Sequence, residues 1–160
     1  MDKKIKLLFV DDEEKFLKST AERLTLRGLE VFAYTNGQDA LDASEQNRFD
    51  VAVLDLKMPG IDGEELLQIL KEKHPTMEVV ILTGHGSIDS AVRSTQQGAY
   101  EYLQKPCQLD DLISVISRAY AKRIQAVEAH KAAKVEEVLK NAMSYSPLGL
   151  LEALKKIDKE

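Results

Sequence analysis

Four apolar runs each stop at a polar or charged residue: LLFV at Asp11 and Asp12, VAVL at Asp55, VVIL at Thr83, and the Tyr-Leu-Gln of EYLQKP at Lys105. Apolar runs this short, without polar alternation, predict strands buried on both faces, the pattern of parallel sheets. In open parallel α/β sheets, ligands bind outside the carboxyl ends of the strands. Three carboxylates, a hydroxyl and an ammonium are therefore expected together at one end of one sheet.

Helical patterns alternate with these runs. Strands are expected near residues 5–10, 30–34, 51–54, 78–83 and 100–104. Between them Phe16, Leu17, Ala21 and Leu24 recur at helical spacing before Gly28, and Ala40 with Leu41 mark a short second helix. Leu66, Leu67 and Leu70 mark a third. Ile88, Ala91, Val92 and Thr95 mark a fourth, closed by Gly98, and Leu109, Leu112, Ile113, Ile116 and Ala119 a fifth. Such alternation predicts a doubly wound α/β fold, a parallel sheet with helices on both faces. Asp62 followed by Glu65 has capping-box character, and Met58, Pro59, Gly60 and Gly63 make the segment beside Asp55 a turn-rich surface loop.

With 160 residues, 44% hydrophobic and 31% charged, the chain has room for one cored domain and a small appendage. Residues 1–120 carry 14 Lys and Arg against 21 Asp and Glu, and the last 40 carry 8 against 6. An acidic body without tryptophan offers no electrostatic footprint for nucleic acid. The lone Cys107 excludes an internal disulfide, and no apolar run reaches membrane-spanning length. The apolar stretch after Lys3, Lys4 and Lys6 stops at Val10, too early for a secretory leader, so a cytoplasmic location is expected.

After Tyr120 the sequence turns rich in Ala, Lys and Glu and lacks Gly and Pro as far as Met143, which predicts that the fifth helix runs on as a rod. Ile124, Val127, Val135, Val138, Leu139 and Ala142 form an apolar stripe interrupted at Lys131 and Lys134, a weak coiled-coil signal. Ser146 and Pro147 open a last helix whose Leu148, Leu150, Leu151 and Leu154 need something to pack on. The expected division is a domain over 1–120 and a helical extension over 121–160.

Carboxylates crowded at one sheet end repel one another unless they are protonated or share a cation. Mg²⁺ suits them, because it takes hard oxygen ligands and commonly uses one or two carboxylates plus phosphate oxygens. Asp12 and Asp55 are candidate direct ligands, with Asp11 acting through water. A carboxylate so placed can attack phosphorus, with Lys105 neutralising charge on the transferred group and Thr83 donating a hydrogen bond.

The DDE segment, LDLKMPGIDG, LTGHG and YLQKP, in this order and spacing, resemble the receiver domain of bacterial two-component response regulators over about residues 3–120. That resemblance implies a flavodoxin-like five-stranded sheet in the order 2-1-3-4-5. It implies Asp55 as phosphoacceptor, Asp11 and Asp12 as the metal-binding pair, the backbone carbonyl of Lys57 as a further ligand, and Lys105 as the phosphoryl partner. Thr83 and Tyr102 match the switch pair, whose rearrangement reshapes the face formed by the fourth helix, fifth strand and fifth helix. Lys57 and His85 occupy positions bordering the path of the attacking water, which suggests that they tune phosphoryl lifetime. The Lys105-Pro106 bond is expected to be cis, and Cys107 stands where the family often has Phe.

The implied partners are a sensor histidine kinase or phosphotransfer protein and a second copy of the chain, joined through that face and the C-terminal helices. The only catalysis implied is the domain's own phosphorylation and dephosphorylation. LTGHGSIDSAV and GAYEYLQKP look most like receivers of ATPase transcription activators, yet these residues contain no G-x-x-x-x-G-K loop. A stand-alone receiver with a dimerising or docking tail is favoured over the front piece of a longer activator. An aspartyl-nucleophile phosphatase is a minor alternative, disfavoured because Lys57 stands where a second Asp belongs.

Overall fold

A computed structural model describes residues 3–159. Each apolar run forms a strand: β1 (Lys6–Val10), β2 (Glu30–Tyr34), β3 (Val51–Leu54), β4 (Glu78–Thr83) and β5 (Glu101–Gln104). All pair in parallel in the order β2-β1-β3-β4-β5. The crossovers are α1 (Glu14–Leu26), α2 (Gly37–Gln46), α3 (Gly63–Lys73) and α4 (Ile88–Gln96), and α5 (Leu109–Lys140) follows β5. A 3₁₀ turn (Ala142–Ser144) and α6 (Pro147–Lys159) end the chain.

Period-two alternation splits the strand residues between two cores. Leu8, Val10, Ala52, Leu54, Val79 and Ile81 pack with Leu66, Leu67 and Leu70 of α3 and Ala40 and Leu41 of α2. Leu7, Phe9, Val51, Val53, Val80 and Leu82 pack with Leu17 and Leu24 of α1 and Leu112, Val115, Ile116 and Ala119 of α5. Burying both faces is what permits β1, β3 and β4 to be nearly continuous apolar runs.

Asp62 caps α3 by accepting the Glu65 N–H at 2.9 Å. The fourth helix forms where Ile88, Ala91, Val92 and Thr95 mark it, but Ile88 and Val92 do not form its packed face. Ile88 and Val92 stand out in solvent, 84% and 49% exposed, while Ser90 and Ser94 form the buried stripe of α4. Its N-cap is Ser87, in a reciprocal capping box with Ser90 that reading the chain for Ser-x-x-Glu/Gln does not find.

The chain divides into two compact units, one up to Arg123 and one from Ile124 onward, with α5 running through the boundary. In the first, Arg123 donates to Asp50 Oδ1 at 3.0 Å and to Thr76 Oγ1 at 2.6 Å, and Asp50 Oδ2 accepts the Lys6 N–H at 2.8 Å. In the second, the helix stops at Lys140, short of Met143, and the Ser146 hydroxyl accepts the Gly149 N–H at 3.0 Å at the start of α6. Of the leucines expected to pack there, Leu148 and Leu151 are exposed, Leu150 and Leu154 are half-buried, and Ile157 is the buried apolar residue of α6. No described helix is long and apolar enough to cross a membrane.

Candidate functional site

The parallel ladder itself brings the acidic residues together. Asp11 N–H donates to the Tyr34 carbonyl at 3.1 Å and Asp55 N–H to the Val10 carbonyl at 3.0 Å, so both aspartates continue their strands side by side. Acidic oxygens of Asp11, Asp12 and Asp55 lie within 4.8 Å of one another. Asp11 and Asp55 are buried and Asp12 is exposed. The N-terminus of α3 closes against the end of β3 because residue 63 is glycine: its N–H donates to the Leu56 carbonyl at 2.8 Å, and a Cβ there would overlap the Asp55 backbone.

β5 supplies the cation. Lys105 N–H donates to the Thr83 carbonyl at 2.9 Å, and the following bond to Pro106 is cis. The ammonium donates to Asp11 Oδ2 at 2.7 Å and Glu13 Oε1 at 3.2 Å, and lies 4.1 Å from the centre of the Phe16 ring. Burial pushes the Asp11 carboxyl above the ordinary aspartate range, against the opposing pull of the Lys105 hydrogen bond, the Glu13 N–H and the lysine charge. For Lys105, burial pulls the ammonium down, but the Asp11 hydrogen bond and the charges of Asp11 and Asp55 outweigh it and hold it above the usual lysine value.

Both carboxylate oxygens of Asp55 are buried and have no hydrogen-bond partner among the described residues. An unpaired buried carboxylate is costly unless something neutralises it. Three aspartates around two orphaned oxygens are a hard-oxygen donor set that fits a divalent cation such as Mg²⁺.

Thr83 ends β4 fully buried, its hydroxyl accepting the His85 N–H at 3.1 Å. Lys57 and His85 are exposed and line one cleft with Asp12, Met58 and Asp62. Tyr102 is half-buried against the α3-side core, and its hydroxyl lies 2.9 Å from that of Ser90. The residues expected at the sheet's carboxyl end, Asp11, Asp12, Asp55, Thr83 and Lys105, do end their strands on one side. Asp11 and Asp12 do not cap α1: the N-cap is Glu13, whose side chain makes no bond to the helix backbone, and Asp11 instead accepts the Glu13 N–H at 2.9 Å. Three contacts were not anticipated. Glu13 was readable only as one more acid beside the Asp pair, Phe16 only as a core position, and Ser90 had no signal beyond its place three residues after Ser87.

The response regulator receiver domain model matches residues 7–117. The chain is 32% identical over 141 residues to the DNA-binding transcriptional regulator NtrC of Proteus hauseri, covering 88% of this chain and 30% of that protein. It is 37% identical over 114 residues to NtrC of Escherichia coli K12, covering 71% of this chain and 24% of that one. The chain thus spans less than a third of the length of these relatives. Among solved structures, a CheY-like receiver from Methanospirillum hungatei superposes with a TM-score of 0.74 at 30% identity, covering 78% of this chain and 99% of that one. NtrX from Brucella abortus superposes at 0.76 and 32% identity, covering 81% of this chain and 30% of that one. With its sheet order, its acidic cluster and these relatives, the chain belongs to the response regulator receiver family.

Proposed function

We propose that this receiver accepts a phosphoryl group on Asp55 from a phosphohistidine donor, either a sensor histidine kinase or a phosphotransfer protein. The carrying observation is the pair of buried Asp55 oxygens, without a hydrogen-bond partner among the described residues, beside two further aspartates, one of which pairs with the Lys105 ammonium. In the transfer an Asp55 oxygen forms the new O–P bond as the donor's N–P bond breaks, and the departing imidazole takes up a proton. Asp11, Asp12, Asp55 and the Lys57 carbonyl would hold Mg²⁺, which supplies positive charge for the phosphoryl oxygens. Lys105 exchanges its contacts with Asp11 and Glu13 for the phosphoryl group, and Thr83 turns its hydroxyl toward it. The domain's catalysis is confined to its own phosphorylation and dephosphorylation.

Residues 1–120 act as the phosphoacceptor domain and 121–160 as an extension that passes the signal on. Exposed Ile88 and Val92 on α4 support the face of α4, β5 and α5 as the switching surface, available to a second copy or to an effector. The stand-alone reading and the front piece of a longer transcription activator both accommodate this role, the NtrC relatives extending well beyond the matched region. The side chains of Lys57 and His85, lining the cleft beside Asp12, restrain the water that hydrolyses the phosphoryl group.

Acetyl phosphate in Mg²⁺ should add one phosphoryl mass to the intact protein. Asp55→Asn or EDTA should abolish the addition, and labelling of Asp55→Asn at the wild-type rate would overturn the assignment. Replacing Lys57 and His85 together should change the decay rate severalfold, and an unchanged rate removes both from the lifetime role.

A further inference from the structure

Tyr102 has two neighbours that fit it unusually well. The first is Ser90, on the buried stripe of α4, whose hydroxyl lies 2.9 Å from the tyrosine's. That serine hydroxyl is not free to wander. It accepts the Ser87 N–H at 2.9 Å and lies 3.0 Å from the Ser87 carbonyl, while the Ser90 N–H returns to the Ser87 hydroxyl at 3.1 Å. The second is Gly86: a Cβ there would overlap the Tyr102 hydroxyl and stand 3.0 Å from its Cζ. Gly86 therefore leaves the space, and the capping box aims the hydrogen-bond partner.

We propose that Ser90, oriented by the α4 capping box, is a positioning residue for the switch: it latches the Tyr102 hydroxyl inward before any phosphoryl group is present. The switching face of the unmodified domain then rests close to its signalling arrangement, and Asp55 chemistry completes a shift already biased by α4. The latch ties the ring to the first turn of α4, so a displaced ring and a loosened α4 N-terminus accompany one another. This inference rests on the proposed switch role of Tyr102, whereas the inward position itself does not depend on phosphorylation.

Two variants break the latch from opposite sides. Ser90→Ala removes the partner, and Gly86→Ala removes the space while leaving both serines in place. With 3-fluorotyrosine at residue 102 alone, ¹⁹F NMR with a soluble paramagnetic agent reads ring exposure in the metal-free protein. The wild-type fluorine should be shielded and both variants should show it exposed; equal exposure in all three overturns the latch. Apparent affinity for beryllofluoride in Mg²⁺ should fall roughly three- to tenfold in each variant, the range for losing one partly buried hydrogen bond. A purely structural serine would weaken binding equally in Tyr102→Phe, where the hydroxyl is already gone, whereas the latch predicts no further loss when Ser90→Ala is added to Tyr102→Phe. Equal loss in both backgrounds refutes it. If beryllofluoride binds neither wild type nor any variant, the phosphoacceptor reading fails, and the fluorine measurement still decides the latch.

Discussion

Asp55→Asn should make the divalent-free domain more stable. In the wild type one Asp55 oxygen lies within 4.8 Å of an oxygen on each of Asp11 and Asp12, and neither Asp55 oxygen has a hydrogen-bond partner among the described residues. At an effective dielectric of ~20, two unit charges at that separation repel by roughly 3 kcal/mol. Attraction to Lys105 and solvent around the exposed Asp12 offset part of this, leaving about 2 kcal/mol for removal of the Asp55 charge. Asn also brings an amide that can donate to the neighbouring carboxylates. With no tryptophan in the chain, the assay is urea unfolding by far-UV circular dichroism in EDTA. A gain of about 2 kcal/mol moves the midpoint by ~1 M at the m-value of a domain this size. Saturating Mg²⁺ should narrow or reverse the difference, because binding at 100 times Kd adds about 2.7 kcal/mol to the wild type and far less to the variant. A variant equal to or weaker than the wild type in EDTA would show that the cluster stores no charge repulsion and would remove the physical basis for its cation affinity.

Lys105→Met strands the buried Asp11 carboxylate and should cost roughly 2–4 kcal/mol at neutral pH, read by the same urea assay. The loss should shrink in acid as Asp11, already raised by burial, takes up a proton. Cys107→Leu should raise stability by about 1 kcal/mol, because Cys107, Phe16, Leu82 and Leu112 border a void of about 50 Å³ beneath the Lys105 loop and filling such space returns ~24 cal/mol per Å³. A destabilised Leu variant would show that side chains at 107 cannot reach the void. His74 gives a pH signature. Burial, then the charges of Lys73 and Arg123, hold its pKa below the ordinary value of 6.5, so the unfolded chain binds the proton first and stability declines as pH falls from 6.5 through the lower folded value. Midpoints measured from pH 7.5 to 5 should show this decline in the wild type and a flatter profile in His74→Asn; identical profiles refute it.

The sheet and the acidic site were legible in the sequence for one reason: strands buried on both faces have no polar positions to blur their ends. Val10, Leu54 and Leu82 are buried, so the residues after them mark the strand ends to within one position. The ionic contacts around Lys105 were not legible, because Glu13 and Phe16 reach it through the turn of α1 and not through any spacing in β5. Family resemblance supplied roles for Thr83 and Tyr102 that their residue types alone do not carry.

Helix α4 is where periodicity and burial part company, and the reason bears on function. Ile88 and Val92 share one face at i, i+4 spacing, which ordinarily identifies the packed side. In the fold that side is solvent-exposed, and the inward side offers Ser90 and Ser94, the latter with a buried hydroxyl that has no hydrogen-bond partner among the described residues. A helix held by serines instead of aliphatic side chains gives up most of the apolar burial that anchors α3, whose Leu66, Leu67 and Leu70 are fully buried. Its attachment therefore leans more on directional hydrogen bonds at the N-terminus, and those bonds converge on Tyr102. Weak apolar anchoring inside and aliphatic exposure outside suit an element that must both move and present a surface, which is why a failure of the periodicity rule falls on the proposed switching face.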